Sequence, residues 1–199
     1  MYKRQQHSIP VVKILPQSFY SRPTLSVARE LLGSRLVRIL DGVRLAGIIT
    51  EAEAYVGQDD LGCHAKAGRT KRNAVMFGPP GYAYVYFTYG QHWMLNAVTE
   101  NEGFPAAVLI RAIDPVEGAD VISLRRHGRD TIGPAKLTMA LGINGGLNGA
   151  GLFGPGSGIW IEEGFAVSAG DIITSPRVGL YAVPEPWKSM PWRFQILRR

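Results

Sequence analysis

Twenty-four glycines and thirteen prolines interrupt a chain of 199 residues, and no other feature limits the fold as tightly. Both residues end regular structure, so a chain broken this often cannot sustain the long helices of a bundle or coiled coil. What lies between the breaks is apolar enough to pack. At 46% apolar and 19% charged residues, the composition is that of a folded chain, and the length fits one domain across 1–199. There is no internal repeat or low-complexity tract. The single cysteine, Cys63, excludes an internal disulfide framework and a cysteine-based zinc site. No apolar run approaches the roughly 18 residues a membrane helix needs. The opening MYKRQQHSIPVVK lacks the apolar stretch of a secretory signal, so a soluble, cytoplasmic protein is expected. Twenty-two basic against sixteen acidic residues leave a net charge of +6, which favours an anionic partner, usually nucleic acid.

Residues 1–15 read as an extended basic arm, with Lys3, Arg4 and Lys13 able to rest on phosphates. Thr24 is placed to cap a short helix running to Leu32, and Gly33 to stop it. The strand-like runs Ser34–Leu40 and Val43–Tyr55 flank Asp41-Gly42, a hairpin signal. Residues 56–80 are polar and glycine-rich, a long loop carrying Lys66, Arg69, Lys71 and Arg72; such loops in compact domains usually serve function. Tyr82–Tyr89 and Trp93–Val98, separated at Gly90, predict a second hairpin. Val108–Ile113 predicts a mostly buried strand, and Glu117–Arg126 and Pro134–Leu141 predict helices, the second with proline at its first position. Short strands are expected at Ile159–Ile161, Ala166–Val167 and Arg177–Val183, with Trp187 and Trp192 in the closing segment. The alternation is too irregular for a doubly wound parallel fold. It predicts an α+β single domain with a curved, mainly antiparallel β-sheet, flanked by short helices and bearing a protruding β-hairpin.

Several residues stand out against this frame. Glu51 and Glu53, two apart on a strand, share a face that Tyr55 continues, while Ala52 and Ala54 take the other. Such a pattern is commonly a solvated edge, but the apolar run Gly47–Ile49 before it suggests a strand entering the interior. A partly buried carboxylate there could serve as a general base for water. His64, in the glycine-rich loop, reads alone as a surface or loop-bonding histidine. Tyr82, Tyr84 and Tyr86 share a face at period two, with Tyr89 near the turn. They are either an aromatic core, each phenol needing a hydrogen-bond partner, or a surface for stacking on nucleobases beside the basic loop. Asn96 and Arg111 are polar residues in apolar strands and must find partners if buried; Arg111 is equally readable as a structural ion-pair partner or a site residue. His7, His64, His92 and His127 are scattered, with no metal-ligand spacing, and no phosphate-binding or nucleophile-elbow motif occurs. No metal and no cofactor is expected.

The stretch Ile49–Gly118 contains TEAEAY, GxxDxxxH, RTxRNxxMF, PGxxYVYxxYG, MLN and VLIRAxxPxEG in order, and GPAKLTMALGI, SPRVG and PWRF follow. Each piece alone is weak, but the ordered set, spanning roughly residues 20–195, resembles the alkyladenine (3-methyladenine) DNA glycosylases. The resemblance implies a monofunctional base-excision enzyme that flips a damaged purine from duplex DNA and hydrolyses its N-glycosidic bond, leaving an abasic site without lyase activity. It assigns Glu53 to activating water, with Arg111 and the backbone carbonyl of Val178 holding that water. Tyr55 would stack on one face of the flipped base, and His64 and Tyr86 on the other. His64 would also offer its backbone N–H to the purine edge. Tyr89 would be the wedge that fills the gap in the DNA stack, and Asn96 the residue that crowds the exocyclic amine of guanine. The implied substrates are 3-methyladenine and 7-methylguanine, with hypoxanthine and ethenoadenine open. Lys66, Arg69, Lys71, Arg72 and Arg193 are candidates for phosphate contact. The implied partner is double-stranded DNA bearing damaged purines, bound by a monomer without any membrane association.

The sequence departs from the pattern in places. Gln91 and His92 stand where animal members carry apolar or aromatic residues, and Cys63 where a small alanine-like residue is common. The long N-terminal extension of animal members is missing, which is similar to compact prokaryotic members acting at the nucleoid. A non-catalytic DNA-lesion-binding module of the same fold is the alternative, and a nucleoside hydrolase a weaker one.

Overall fold

The computed structural model describes residues 13–197. Among them an α+β architecture is built on one eight-stranded, antiparallel sheet. The strands are β1 (Arg35–Leu40), β2 (Val43–Val56), β3 (Ala83–Thr88), β4 (His92–Val98), β5 (Ala106–Glu117), β6 (Ile159–Glu162), β7 (Ile172–Ser175) and β8 (Arg193–Ile196). The helices are short: α1 (Gln17–Tyr20), α2 (Thr24–Glu30), α3 (Ala119–Arg126) and α4 (Pro134–Ala140). No helix is long and apolar enough to cross a membrane among the described residues.

The spatial order is β3-β4-β5-β2-β1-β6, with β8 joining β2 and β7. β2 is the hub. Its first half pairs with β1 on one edge, and where β1 ends β8 takes over at Glu51–Glu53, while β5 runs along the other edge. The half of β2 that carries the glutamates therefore has neighbours on both sides, which fixes its backbone.

The two faces of the sheet do different work. Ala52, Ala54, Ala83, Val85, Leu95, Ala97, Val108 and Ile110 point into the main core with Val27, Leu31 and Leu137; α2 lies against β2 and β5, and α4 against β4 and β5. The opposite face of the same strands carries Tyr55, Tyr84, Tyr86, Val98 and Ala107, packed against Cys63, Ala65 and Met76 of the long loop. Alternation along each strand thus sorts core from site.

Strict alternation fails at one place. Pairing runs Ile49↔Ile113, Glu51↔Ala112, Ala52↔Ile110, so Thr50 is the extra residue on β2 and Arg111 the extra residue on β5. Each bulge reverses the facing of its strand, and Ile49 and Ile113 on one side of it share the core with Ala52 and Ile110 on the other. Because the two bulges compensate, the register survives. Such bulges bend a strand and re-aim a side chain, and here they fall where Glu51, Glu53 and Arg111 meet.

Several local expectations are corrected. Thr24 does not cap α2 with its side chain; Pro23 holds the cap position. The Glu100 carboxylate instead accepts from the Thr24 N–H at 2.6 Å and its hydroxyl at 2.8 Å. The residues around Ala166–Val167 and Arg177–Val183 form no strands, and the last hairpin is β7–β8. These runs are held by scattered backbone and side-chain bonds rather than by a ladder, so short β-branched content did not suffice to pair them. Lys3 and Arg4 of the expected arm lie outside the described residues. Lys13 pairs with Glu163 at 2.6 Å, Ile14 bridges to Glu162 and Leu15 is buried, so residues 13–15 lie against the β6 end of the sheet.

Candidate active site

The site face of the sheet and the long loop enclose a cavity of about 340 Å³, lined by Tyr55, Cys63, His64, Tyr84, Tyr86, Tyr89, Asn96, Arg111 and Val178 among others. That is at the small end of ligand pockets, aromatic with a few convergent polar groups.

Glu53 stands at the inner end, with no exposed surface. Its Oε1 accepts from the Val178 N–H at 2.8 Å and its Oε2 from the Tyr55 hydroxyl at 2.9 Å, while Arg111 Nη1 lies 3.3 Å from Oε2. Arg111 also donates to Glu51 at 2.6 Å, and Glu51 accepts from Arg193 at 2.7 Å. Two carboxylates are thus balanced by two guanidiniums, which is how a buried charge cluster is kept. Burial pushes the Glu53 carboxyl above its ordinary value, and Arg111, the Val178 N–H and the Tyr55 hydroxyl act against that rise. Tyr55, Arg111 and Val178, the three partners of Glu53, all line the cavity, so the carboxylate sits directly behind its wall.

The other walls are aromatic. The rings of His64 and Tyr86 meet edge-on at 4.5 Å, and His64 Nδ1 is 3.1 Å from the Tyr84 hydroxyl. Burial, together with the nearby Arg72 and Lys66 charges, lowers the His64 pKa, so its ring is neutral at neutral pH. Burial holds the Tyr86 phenol up at about 12 and the Cys63 thiol at about 11. Cys63 therefore stays a thiol, packed and accepting from the Ala65 N–H. Asn96, opposite Tyr84 across β3–β4, donates from its amide to the Tyr84 carbonyl at 3.0 Å, which fixes which way it faces the cavity. Among the described residues no cluster of His, Cys, Asp and Glu could hold a metal ion.

Tyr89 has the opposite character. It sits at the β3–β4 turn with a left-handed φ of 52°, followed by Gly90 at 64°, and 85% of its surface is exposed. The two positive-φ residues are the centre of a tight turn closed by the Gln91 N–H on the Thr88 carbonyl, and Gly90 suits positive φ where Tyr89 does not.

At two of the predicted residues the structure adds a bond. Val178 presents its N–H to Glu53. Arg193 donates from Nε to Glu51. Of the loop cations, Lys66, Arg69 and Lys71 are exposed. Arg72 donates to the Phe87 carbonyl at 3.1 Å and lies 5.3 Å from the Tyr86 ring centre. Glu51, Met76, Met94 and Leu109 also belong to the site. Glu51 stands in the TEAEAY motif and could have been taken with Glu53; Met76 and Met94 stand in RTxRNxxMF and MLN, but their side chains carry no chemical signal beyond apolarity. Arg177 and Asp60 form a fully buried pair beside the slot, and the sequence marked them only as members of SPRVG and GxxDxxxH.

Residues 18–199 match the family model of methylpurine-DNA glycosylase. A protein of Methanocella arvoryzae, provisionally named 3-methyladenine DNA glycosylase, is 49% identical over 187 residues, covering 91% of each chain. One of the same name from Carboxydothermus hydrogenoformans is 48% identical over 92% of this chain and 95% of its own. Another from Chlorobaculum parvum is 45% identical over 92% and 87%. With matches running nearly end to end, the chain belongs to the methylpurine-DNA glycosylase family.

Proposed function

We propose that this DNA glycosylase removes damaged purines by hydrolysis, with Glu53 as the base that activates water and the cavity as the slot for the extruded nucleotide. The observation that carries the reading is Glu53 itself: a buried carboxylate held ionisable by Arg111, the Val178 N–H and the Tyr55 hydroxyl, behind an aromatic cavity. Once ionised, a carboxylate with a raised pKa is a stronger base than an ordinary one. Arg111 keeps a positive charge beside the position where water would lose its proton.

In this reading Tyr55 stacks on one face of the base, with His64 and Tyr86 on the other, and Asn96 crowds the exocyclic amine of guanine. Tyr89 enters the duplex as the base leaves it. Extrusion costs a few kcal/mol and an inserted side chain offsets lost stacking. Cationic bases such as 3-methyladenine and 7-methylguanine gain roughly 0.5–2 kcal/mol from the ring faces and leave readily. 3-Methyladenine is also the base in the names of the relatives. Neutral hypoxanthine and ethenoadenine, if accepted, need a proton or hydrogen bond on departure. A lyase step needs an amine nucleophile, and among the described residues the cavity wall offers phenol, imidazole, amide and guanidinium groups instead, which supports a monofunctional enzyme. Exposed Lys66, Arg69 and Lys71 suit the DNA backbone, and a monomer suffices for this chemistry.

The test is Glu53→Gln in single-turnover release of 3-methyladenine from methylated duplex DNA. Release should be lost while duplex binding persists. Release at the parent rate would refute the role of Glu53, and would leave a different catalytic group to be found. Strand cleavage without alkali, or borohydride trapping on DNA, would contradict the monofunctional reading. Absence of any base release by the parent protein on a panel of lesion duplexes would favour a lesion-binding module.

A further inference from the structure

Asp60 and Arg177 have side chains with 0% exposure each. Taking two charges out of water costs enough that a buried pair is a poor stabilising device, so its presence calls for a different account. The surrounding bonds supply one. The Asp60 carboxylate is forked by both terminal nitrogens of Arg177, with Nη2 at 2.8 Å, and accepts the Gly62 N–H at 2.9 Å and the Val56 N–H at 3.2 Å. Arg177 Nη1 donates to the Ala54 carbonyl at 3.0 Å, and the guanidinium lies between the Tyr55 and Trp192 rings, 4.7 Å and 5.0 Å from their centres.

One pair thus ties together three pieces of chain: the end of β2 with Tyr55, the loop that leads to Cys63 and His64, and the segment with Val178. Val178 follows Arg177 directly, and its N–H is the one on Glu53 Oε1. We propose that Asp60 and Arg177 are positioning residues for the hydrolysis: their fork holds the Val178 N–H on Glu53 and the Tyr55 ring across the slot from His64. This rests on Glu53 being the base in the function proposed above. Neither residue lines the cavity.

Glu53 is faced by Arg111 from β5, by Tyr55 and Glu51 on its own strand, by the Val178 N–H, and through Glu51 by Arg193 of β8. Loosening the fork withdraws the Val178 N–H from the anion while the others remain. The carboxyl then holds its proton to higher pH.

Asp60→Asn and Arg177→Lys test this. Lysine keeps the charge but cannot fork a carboxylate. Active sites are counted from the burst of base release on methylated duplex DNA, and the single-turnover rate per active site is followed against pH. The rate should fall on the order of a hundred-fold, the scale of a misplacement of about 1 Å, and the acid limb should move to higher pH. Fewer active sites with an unchanged rate and unchanged acid limb would make the pair merely structural and overturn the proposal. Should both variants fail to fold, Trp192→Leu keeps the charges paired and removes one stacking face. It should shift rate and acid limb in the same direction by less, and no shift in either would overturn the proposal equally. Parent-like release by Glu53→Gln would instead remove the base assignment on which the proposal stands.

Discussion

Glu53 and Tyr89 are each in the place their chemistry resists, in opposite senses. One is a carboxylate with no solvent exposure, the other an aromatic ring 85% exposed on a left-handed backbone. The carboxylate is compensated: a paired strand on each side of β2, two N–H or O–H donors and a guanidinium surround it. The ring is not compensated at all. Its turn needs only glycine-like residues, and a side chain in the left-handed region costs roughly 1–2 kcal/mol. Local outliers of this kind tend to gather at functional sites. What differs is when each cost is met. Glu53 is stabilised within the protein, whereas Tyr89 gains its compensation only when something covers it, and in the proposed function that is the DNA stack.

The contrast is sharpest in the chemistry. Glu53→Gln should lower base release by about 10²–10⁴-fold, the usual range for losing a general base, on both single-stranded and duplex substrate in single-turnover assays. Tyr89→Gly should lower release on duplex alone, since only there must a base be unstacked. Equal loss on both substrates would erase the distinction drawn between the two residues.

Arg111→Ala leaves Glu51 and Glu53 facing each other with one cation fewer. A destabilisation of about 3–5 kcal/mol is expected for a broken buried pair, read from denaturant unfolding. A cost near zero would mean that the carboxylates are not balanced by Arg111.

The pH dependence follows from the direction of the Glu53 shift. As the base, Glu53 must be ionised, so release should fall as pH drops through a midpoint above the ordinary glutamate value of about 4.3. Because its folded pKa is raised, its protonation favours the fold. That contribution is present below the unfolded value and is lost as pH rises through the folded one. Glu53→Gln should remove this part of the stability profile, and an acid limb at the ordinary glutamate value would contradict the burial effect.

Tyr89→Gly should also raise stability slightly, by up to about 1 kcal/mol once the left-handed strain is relieved, in thermal or denaturant unfolding, even as it weakens flipping of ethenoadenine followed by fluorescence. The smallest effect belongs to the loop. Neutralising Lys66, Arg69 or Lys71 should lower the salt slope of duplex binding by about one for each true phosphate contact, without changing the rate of bound enzyme.

Much of the fold was legible because it rests on local rules. Asp41-Gly42 turns between β1 and β2 with both residues at positive φ, and the alternation of Tyr84 and Tyr86 with Ala83 and Val85 put aromatics and core on opposite faces. Thr24 was misread because its helix start is completed by Glu100, remote in the chain. The segments around Ala166 and Arg177 were misread as strands because short apolar runs carry no information about whether a partner edge is free.

The sequence alone determined which side chains were available: two glutamates two apart, a tyrosine-rich strand, an arginine in an apolar run, and the ordered motifs that mark the family. Tertiary structure decided their use. The paired bulges at Thr50 and Arg111 turn both strands at the same level, so that a cation from β5 meets two carboxylates of β2. It also assigned Arg193 to Glu51, and closed Asp60 onto Arg177 across more than a hundred residues. Strand facing follows from neighbours in sequence, but ion pairing and burial depend on which distant strands come together, and that is settled only when the sheet forms.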